Sequence, residues 1–547
     1  MVYVKKVILE GFKGYKDKTE FEFNREKTIL VGDNGIGKTT LLQALRLLLK
    51  GSRYEYNGIN YLGKYVNNDL KKEFQESEGT KLPKFRLWLV FDITDEEKNP
   101  KFLSYCGQYG DDHRDGAGIS FEYSFDDTFN QQYQTMLKEA KGKDENFEIP
   151  FNMYKTIHKK FSGEPYYYRE DPFHSIFIDN DNFEGNPFNQ FARQVYSSLS
   201  EDQRIKVETL FRNKTKDLFS DVNVTVGSTT SYNLTVDVDS LKFDSILDVQ
   251  VPDKGSVEEL GSGEENIIKT RLSLKTESKL IIIEEPENHL TAANTRKQID
   301  QIKHLSKNSQ LIITTHDSHI VTGLDLKNVI WIKTNNGKDK IIEKIKEIDK
   351  KSQHFFERRD DLDFLKLLTA KKIILVEGAA EYILMRTFIR LVLGHDDSSI
   401  EILSMGGRDY SPFVDLVKNL KVKMAIFTDN DGNRIDDLNG FNDEQEKKGL
   451  LIKAFFDSDC EYKTTFEKVE YYENKDVIEE NQLISKGAST TKYKRRNQGK
   501  EEEENSTQLA FMLNNKSESA IRMIEYYESK QIKVPHYIEQ GLKWLKE

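Results

Sequence analysis

The chain has little of several features that define common classes of protein. Cysteine occurs twice in 547 residues, at Cys106 and Cys460, which excludes a disulfide framework and a cysteine-rich zinc site. No apolar run approaches the length of a membrane span, and no basic and apolar leader precedes the first strand-like segment, so we expect a cytoplasmic protein without membrane contact. Sustained heptads are also lacking, which excludes a long coiled coil.

A surplus of positive charge is lacking as well. The formal net charge of -11 argues against a protein that coats nucleic acid by charge alone, because phosphate binding depends on clustered Lys and Arg. Hydrophobic residues make up 37% of the chain and charged residues 32%, which suits a globular protein. The length exceeds that of one core and predicts two or three domains. Any nucleic-acid site must therefore be local.

Apolar strand-like runs alternate with helical patterns along the chain and predict an α/β protein. We place a nucleotide-binding domain in two parts, residues 1–95 and 221–340. The stretch 96–220 between them is predicted to be an insertion and a possible dimerisation region. A charged linker, 341–369, precedes a second α/β domain with a helical extension, 370–547.

A phosphate-binding loop follows an apolar strand of the first domain. The sequence Gly32-Asp33-Asn34-Gly35-Ile36-Gly37-Lys38-Thr39 has the Gly-x-x-x-x-Gly-Lys-Thr pattern, whose glycines let backbone N–H groups surround phosphates at a helix N-terminus. Lys38 is expected to neutralise the β- and γ-phosphates, and Thr39 to hold Mg²⁺. The predicted ATP-binding residues of this loop are Asn34, Gly35, Gly37, Lys38, Thr39 and Thr40.

Later segments carry residues expected to serve ATP hydrolysis. One apolar strand ends in Glu284, expected to organise Mg²⁺, and Glu285, expected to orient or deprotonate the attacking water. His316 ends the next apolar strand and is predicted to sense the γ-phosphate. Ser262 and Gly263, just before a helix, offer donors to a phosphate. The alternatives are a solvated strand end, a structural histidine and an ordinary helix cap.

In order and spacing these elements resemble the ATP-binding-cassette (ABC) class of ATPase heads. In that class the signature segment of one subunit closes on the phosphate loop of another, so the resemblance implies a dimer with nucleotide between the subunits. The loop that follows Leu290, with the sequence Thr291-Ala292-Ala293-Asn294, departs from the acidic form that is usual in this class.

A second set of carboxylates lies at two later strand ends. Glu377 follows an apolar strand and Glu381 lies one helical turn later, so both can share one face. Asp429 and Asp431 end another apolar strand, where alternate residues can point into one cleft. Converging carboxylates repel one another unless cations are bound, and hard oxygen ligands favour Mg²⁺ or Mn²⁺. A pair of such metal ions supports hydrolysis of a phosphodiester. A solvated turn is the alternative for Asp-x-Asp alone.

This arrangement resembles the TOPRIM domain, the metal-binding module of topoisomerases, primases and certain nucleases. Combined with the ATPase motifs, it is similar to the OLD (overcoming lysogenization defect) family, which includes the nuclease subunit of Gabija defence systems and retron-associated OLD nucleases. The predicted fold is therefore α/β: an ABC-type ATPase domain with an inserted, mainly helical or mixed segment, followed by a TOPRIM domain.

The resemblance implies an ATP-regulated, metal-dependent DNA endonuclease, nicking or cutting both strands, in bacterial defence against phage. The implied cofactors are ATP and Mg²⁺ or Mn²⁺. The implied partners are DNA, further copies of the chain, and a helicase-like subunit or a reverse transcriptase with its noncoding RNA. A ribonuclease acting on tRNA or other RNA, and an ATP-dependent sensor or scaffold with little nuclease activity, stay open as alternatives.

The resemblance also extends to less distinctive residues near the C-terminus. Glu467 is similar to the family's acidic element and is predicted to bind the metal or to support its ligands, and Lys516 is predicted to stabilise phosphate charge. Surface side chains are the alternative for both. A basic run is predicted to contact a nucleic-acid backbone, with a solvated loop as the alternative. Its cations are Lys492, Lys494, Arg495 and Arg496.

Overall fold

The computed structural model divides the chain into two units, Met1–Lys344 and Ile345–Glu547. The residues that the structure describes are 2–51, 59–93, 100–143, 148–179, 192, 196, 199–219, 223–226, 230–233, 247–273, 278–305, 309–335, 339–345, 348–359, 362–418, 420, 422–481, 483 and 506–547. No helix in these ranges is long and apolar enough to cross a membrane.

The first unit contains two large sheets and two short hairpins. Its strands are β1 (Val2–Glu10), β2 (Thr19–Glu22), β3 (Lys27–Val31), β4 (Phe85–Ile93), β5 (Cys106–Tyr109), β6 (Arg114–Phe125), β7 (Tyr154–Lys160), β8 (Ile176–Asp179), β9 (Asn223–Val226), β10 (Thr230–Asn233), β11 (Gln250–Val251), β12 (Gly255–Ser256), β13 (Leu280–Glu284), β14 (Gln310–Thr314), β15 (Val329–Asn335) and β16 (Asp339–Lys344). Strands β9 and β10 pair with each other, as do β11 and β12.

The two large sheets differ in strand direction. The antiparallel sheet has the order β2-β1-β4-β6-β5, and β7 also pairs with β6. The other sheet has the order β16-β15-β3-β14-β13-β8. Its pairs from β15 to β8 are parallel, and the edge pair of β15 and β16 is antiparallel. The parallel strands bring the residues that follow β3, β13 and β14 to one edge of this sheet.

The helices described in the first unit are α1 (Lys38–Lys50), α2 (Asn68–Glu76), α3 (Pro100–Leu103), α4 (Asn130–Lys143), α5 (Glu201–Phe219), α6 (Ser262–Ser273), α7 (Ala292–Leu305) and α8 (Ser318–Gly323). Two of these helices, α1 and α6, are in contact with the large sheets. Helix α1 contacts β4 and β6 of one sheet and β13 of the other. Its Leu41, Leu45 and Leu48 have no exposed surface, and their spacing places them on one helix face. Burial of each such leucine stabilises the fold by about 2 kcal/mol, which fixes the helix that follows the phosphate loop.

Part of the stretch predicted as an insertion contributes to both large sheets. Strands β5, β6 and β7 extend the antiparallel sheet, and β8 pairs with β13 so that Asp179 lies beside Glu284. Apart from the neighbouring strands β5 and β6, these pairs join segments that are distant in sequence, and local periodicity carries no sign of such pairing. The domain boundaries given above stay predictions.

The second unit is built on one parallel sheet with the order β18-β17-β19-β20. Its strands are β17 (Lys372–Val376), β18 (Ile400–Ser404), β19 (Lys423–Phe427) and β20 (Ile452–Phe455). Its helices are α9 (Lys350–Glu357), α10 (Phe364–Thr369), α11 (Ala379–Leu393), α12 (Ser411–Val417), α13 (Ile435–Lys447), α14 (Phe466–Glu473), α15 (Lys475–Asn481), α16 (Thr507–Asn514), α17 (Lys516–Glu528) and α18 (His536–Lys546). Helix α11 packs against α17 and α18, so the C-terminal helices belong to this core.

The apolar runs that predicted buried parallel strands form such strands. In β17, four successive residues, 373–376, have no exposed surface, as expected for a strand covered on both faces. Strands β17 and β19 are neighbours in register, with Val376 beside Phe427. The residues that follow these two strands therefore lie side by side. The α/β fold class is confirmed.

Candidate nucleotide site and candidate metal centre

The phosphate loop joins β3 to the start of α1 in the first unit. Gly32, Gly35 and Gly37 have φ values of 153°, 76° and 115°, which side-chain-bearing residues rarely adopt. A Cβ atom added to Gly32 would lie 2.5 Å from the carbonyl oxygen of Ile332, so close packing also requires glycine there. Asn34 and Thr39 are exposed and Thr40 is half-buried. The loop thus presents the N-terminus of α1, a geometry that binds phosphate.

Lys38 folds back onto this loop. Its Nζ donates hydrogen bonds to the carbonyl oxygens of Gly32, at 2.6 Å, and Asp33, at 3.3 Å. Burial lowers the pKa of Lys38, and the nearby carboxylate of Glu285 opposes this effect. A phosphate would offer this ammonium a charged acceptor, which makes a stronger hydrogen bond than a carbonyl.

The predicted hydrolytic residues meet at the ends of β13 and β14. Glu284 ends β13, and the backbone N–H of Glu285 donates to the Thr314 carbonyl at 3.0 Å. Nδ2 of Asn288 donates to Oε2 of Glu285 at 3.0 Å. Nδ1 of His316 lies 3.6 Å from Oε1 of Glu285. Adjacent parallel strands therefore bring Glu285 and His316 together.

Glu287 is a member of this group that sequence reasoning missed. Its Oε1 accepts hydrogen bonds from the Thr315 hydroxyl, at 2.6 Å, and from the His316 backbone N–H, at 2.7 Å, and lies 3.2 Å from Nδ1 of His316. Burial raises the pKa of Glu287, and the bond from Thr315 partly offsets the rise. Its Oε2 is buried without a hydrogen-bond partner among the described residues. The sequence feature that could have indicated Glu287 is its position two residues after Glu285, the second carboxylate at the end of β13.

The segment that contains Ser262 and Gly263 forms the first turn of α6. Ser262 is exposed. A Cβ atom on Gly263 would lie 2.6 Å from the carbonyl oxygen of His289, so this turn packs against the loop that follows β13.

In the second unit, the carboxylate of Glu377 is bonded to the residues that follow β19. Oε2 of Glu377 accepts hydrogen bonds from the Thr428 hydroxyl, at 3.0 Å, and from the Asp429 backbone N–H, at 3.2 Å. Glu381 is 5% exposed in the first turn of α11. A Cβ atom on Gly378 would lie 3.1 Å from Oε2 of Glu381, so the glycine leaves room for this carboxyl group.

The carboxyl groups of this cluster compete for protons. Burial, and then repulsion from Glu377, Glu381 and Glu467, raises the pKa of Asp429 to about 8. Burial raises the pKa of Glu381 to about 7, and Glu467 contributes to the rise. The first oxygen of Asp429, Oδ1, accepts a hydrogen bond from the Phe466 backbone N–H at 2.8 Å. A bound cation would favour the ionised forms and displace the protons.

Glu467 and Lys516, predicted separately, form an ion pair. Glu467 is 1% exposed in the first turn of α14. Nζ of Lys516, the first residue of α17, lies 2.9 Å from its Oε1 and 3.0 Å from its Oε2. Burial lowers the pKa of Lys516, but the Glu467 carboxylate outweighs burial and raises it overall. The ammonium therefore stays charged beside the carboxyl cluster.

Two arginines that sequence reasoning missed contact the same cluster. Nη1 of Arg408 lies 3.1 Å from Oδ2 of Asp431, and its Nε lies 3.6 Å from Oε1 of Glu377. Nη1 of Arg434 lies 3.4 Å from Oδ2 of Asp431. The signal for Arg408 was its position directly after the Gly406-Gly407 turn.

Asn430 is a positioning residue that sequence reasoning also missed. It is 1% exposed, and its Nδ2 donates to three carbonyl oxygens, of Asp457 at 2.7 Å, Asp459 at 3.0 Å and Lys463 at 3.1 Å. Its Oδ1 accepts from the Gly432 backbone N–H at 2.8 Å. This side chain therefore ties the Asp429–Asp431 turn to the loop before α14.

The donor chemistry of the cluster fits a hard divalent cation. Its oxygens belong to carboxyl groups, and two of these, on Glu381 and Asp429, have raised pKa values that a bound cation would lower. Across the ranges that the structure describes, no group of three or more acidic, histidine or cysteine side chains is arranged to hold a metal ion. Arg408 bridges two of the carboxylates instead.

The basic run predicted to contact nucleic acid lies outside the described residues. It comprises Lys492, Lys494, Arg495 and Arg496.

The fold and the two sites define a nucleotide-binding ATPase joined on one chain to a TOPRIM domain. A family model described as "AAA ATPase domain" matches residues 2–321, and one described as "Overcoming lysogenization defect protein-like, TOPRIM domain" matches residues 368–431. The first match spans more than half of the chain, so the chain belongs to the AAA ATPase domain family, and its second unit carries an OLD-like TOPRIM domain. The predicted OLD-family architecture is confirmed. Such domains use a nucleotide and a divalent metal.

The chain is similar to several known proteins and solved structures. Endonuclease GajA of Bacillus cereus (strain HuB5-5) is 23% identical over an alignment that covers 98% of this chain and 95% of GajA. Chromosome segregation protein sudA of Emericella nidulans is 32% identical over 96 residues, 17% of this chain and 7% of that protein. Among solved structures, the SMC head domain from Thermotoga maritima is 14% identical, covering 63% of this chain and 99% of that domain, with a TM-score of 0.30.

Proposed function

We propose that this protein is an ATP-regulated, metal-dependent endonuclease that acts on DNA. The observation that carries the proposal is the carboxyl cluster at the ends of β17 and β19, in which Glu377 accepts a hydrogen bond from the backbone of Asp429. Similarity to a protein named endonuclease along nearly the whole chain supports it. Carboxyl groups that cluster and repel one another destabilise a fold unless they bind cations. Such clusters are therefore typical of functional sites rather than of purely structural ones.

The residues proposed to hold Mg²⁺ or Mn²⁺ are carboxylates of the second unit: Glu377, Glu381, Asp429, Asp431 and Glu467. When bound, such ions activate water and stabilise the leaving oxygen of a phosphodiester. Lys516 holds a positive charge beside the cluster and is proposed to stabilise the phosphate. Arg408 is exposed and contacts two of the same carboxylates. Its guanidinium group is proposed to bind the nucleic-acid backbone after it moves away from these carboxylates.

In the first unit, Lys38 is proposed to bind the ATP phosphates and Thr39 and Glu284 to hold the nucleotide's metal. Glu285 accepts a proton from the attacking water, and Asn288 fixes its carboxylate. His316 is proposed to donate a hydrogen bond to the γ-phosphate. Ser262 and Gly263 are proposed to complete the site of a second copy of the chain.

The biological role that we propose is defence of a bacterial cell against phage. The proposed partners are DNA, further copies of this chain, and a helicase-like subunit or a reverse transcriptase with its noncoding RNA. The basic run 492–496 is proposed to contact DNA.

A cleavage assay with matched variants tests this function. Purified protein is incubated with supercoiled plasmid, linear DNA or tRNA, with Mg²⁺ or Mn²⁺, across a series of ATP concentrations. Asp429→Asn removes a ligand without changing its size and is expected to slow plasmid cleavage at least about 100-fold. The exposed Asp436→Asn, in α13, is the control and is expected to cleave like the wild type.

The same assay tests regulation by ATP. Lys38→Ala is expected to abolish the response of cleavage to ATP, because the loop loses its phosphate-binding cation. Equal cleavage by Asp429→Asn and the wild type contradicts the proposed metal site. Cleavage of tRNA without cleavage of DNA replaces the proposed substrate with RNA.

A further inference from the structure

A second ammonium group lies against the phosphate loop of the first unit. Lys340 belongs to β16, the edge strand of the sheet that contains β3. Its Nζ lies 3.7 Å from the centroid of the Tyr15 ring. A Cβ atom on Gly37, the residue before α1, would lie 2.9 Å from this Nζ, and a Cβ atom on Gly14 would lie 2.6 Å from it. The two glycines therefore leave the space that the Lys340 ammonium occupies.

Tyr15 fixes this arrangement to the loop. Its hydroxyl donates a hydrogen bond to the carbonyl oxygen of Gly37 at 3.3 Å, and the residue is 2% exposed. A cation over the face of an aromatic ring is attracted by the electron density of the ring. The ring thus holds the Lys340 ammonium at the start of α1 and connects it to the same glycine that shapes the phosphate site.

This position is unfavourable for a cation that has no anion. The N-terminus of a helix carries partial positive charge, which repels an ammonium group. Burial lowers the pKa of Lys340 to about 8. No carboxylate of the described residues pairs with it, whereas Lys344 on the same strand lies 3.4 Å from Glu22. The surroundings of Lys340 favour an anionic ligand, and the phosphate loop is the adjacent anion-binding element.

We propose that Lys340 is a second cationic ligand of the nucleotide phosphates, acting together with Lys38. The inference rests on the proposed binding of ATP at the phosphate loop. It assigns a binding role to β16, the last strand of the first unit, which none of the sequence motifs includes. A bound nucleotide then connects this edge strand to the loop and to Tyr15.

Nucleotide titration of the full chain tests the proposal. The fluorescent analogue mant-ATP is titrated with Mg²⁺ into wild type, Lys340→Met, Lys340→Arg and Lys344→Met. Loss of one charge-assisted contact predicts that Lys340→Met binds about 10-fold more weakly. Lys340→Arg is expected to stay within about 3-fold of the wild type because it keeps the charge. Lys344→Met has the same charge change on the same strand and is expected to bind like the wild type.

A labelling experiment on the wild type covers the case in which Lys340→Met fails to fold. Acetic anhydride modifies lysines in the presence or absence of ATP and Mg²⁺, and mass spectrometry quantifies each lysine. ATP is expected to reduce modification of Lys340 several-fold and to leave Lys344 unchanged. If mant-ATP binds the wild type but ATP leaves Lys340 unprotected, or if a folded Lys340→Met binds as tightly as Lys344→Met, the role of Lys340 is wrong. Failure of the wild type to bind mant-ATP instead overturns the proposed nucleotide site and this inference together.

Discussion

The phosphate loop of the first unit and the carboxyl cluster of the second prepare for charged ligands in opposite ways. At the loop, Lys38 rests on backbone carbonyl oxygens and Lys340 on an aromatic ring, so the site carries positive charge that a phosphate would neutralise. At the cluster, Asp429 and Glu381 have raised pKa values, and Arg408 and Lys516 lie against neighbouring carboxylates. The phosphate loop therefore suits an anion, and the carboxyl cluster suits a cation.

The difference lies in how each site behaves without its ligand. At the phosphate loop, backbone carbonyl oxygens and an aromatic ring partly stabilise the ammonium groups of Lys38 and Lys340 when no phosphate is bound. Ionised carboxylates in a buried cluster repel one another and lose hydration, and they are tolerated only when protons or neighbouring cations compensate. A metal that binds the carboxyl cluster must therefore displace protons and neighbouring cationic side chains. We expect metal binding there to depend more strongly on solution conditions than phosphate binding at the loop does.

The largest effect is expected from the removal of Lys516, whose ammonium group lies beside the carboxyl cluster. Lys516→Met removes the partner of Glu467, which is 1% exposed. DNA cleavage is expected to fall at least about 100-fold because the phosphate loses its stabilising charge. The free energy of unfolding is expected to fall by about 1–3 kcal/mol because a buried carboxylate loses its partner. Plasmid cleavage and thermal melting measure the two effects.

The control for this change is Lys447→Met, at the exposed end of α13. It is expected to change neither quantity. Titration with mant-ATP should give the same affinity for Lys516→Met as for the wild type, because the ammonium acts in the second unit. Unimpaired cleavage by Lys516→Met would show that the cluster does not need this charge.

A smaller effect concerns pH, and its sign separates the two sites. With the pKa of Asp429 at about 8 and that of Glu381 at about 7, Asp429 is mostly protonated and Glu381 about half protonated near pH 7 in the absence of metal. Mn²⁺ must displace these protons, so its affinity is expected to rise with pH between 6 and 8, by up to about 10-fold per pH unit for each proton displaced. Nucleotide affinity is expected to fall as pH rises through about 8, because Lys340 then loses its proton.

Calorimetric titration of Mn²⁺ in two buffers with different ionisation enthalpies counts the protons released. Asp429→Asn is the control and is expected to release fewer. The same raised pKa values mean that the metal-free folded state binds protons that the unfolded chain has lost, so its stability is expected to fall as pH rises from about 4 to 8. An affinity for Mn²⁺ that does not change with pH contradicts this account.

The strands and the motif residues were predictable because their signals are local. Apolar runs predicted the strands before the phosphate loop and before Glu377, which are β3 and β17, since strands covered on both faces are mostly apolar. Glu377 and Asp429 lie within two residues of the ends of such runs, Lys38 lies at the end of the loop that follows β3, and the ends of neighbouring parallel strands meet at one edge. Strand-end position therefore predicted which residues lie close together in each site.

The residues that were missed act through contacts between distant parts of the chain. Lys340 reaches Tyr15 across more than 300 residues, Asn430 holds the carbonyl oxygens of a later loop, and Arg408 joins Glu377 to Asp431. Lys340 lies in a polar segment with no pattern that distinguishes it from a surface residue, and the positions of Arg408 after a Gly-Gly turn and of Asn430 between two aspartates do not specify which groups they contact. Strands β6, β7 and β8 of the stretch 96–220 were not assigned to the sheets because they too pair with segments that are distant in sequence.

The smallest expected effect concerns a fully buried carboxyl group behind the cluster. Glu470 lies one helical turn after Glu467 in α14, and the Tyr527 hydroxyl donates a hydrogen bond to its Oε1 at 2.8 Å. Burial raises the pKa of Glu470 to about 8, so the group is mostly protonated and neutral near pH 7. A neutral pair of this kind should contribute to stability without contributing charge to the site.

Tyr527→Phe is therefore expected to lower the free energy of unfolding by about 1 kcal/mol and to change cleavage less than about 3-fold. Tyr526→Phe is the matched control: its hydroxyl donates to the Leu483 carbonyl oxygen at 3.4 Å, a long contact whose loss should be close to neutral. Denaturant unfolding and plasmid cleavage measure the two quantities. A large loss of cleavage in Tyr527→Phe, with stability unchanged, would place Glu470 within the charged cluster, because only a charged group would affect the reaction without affecting the fold.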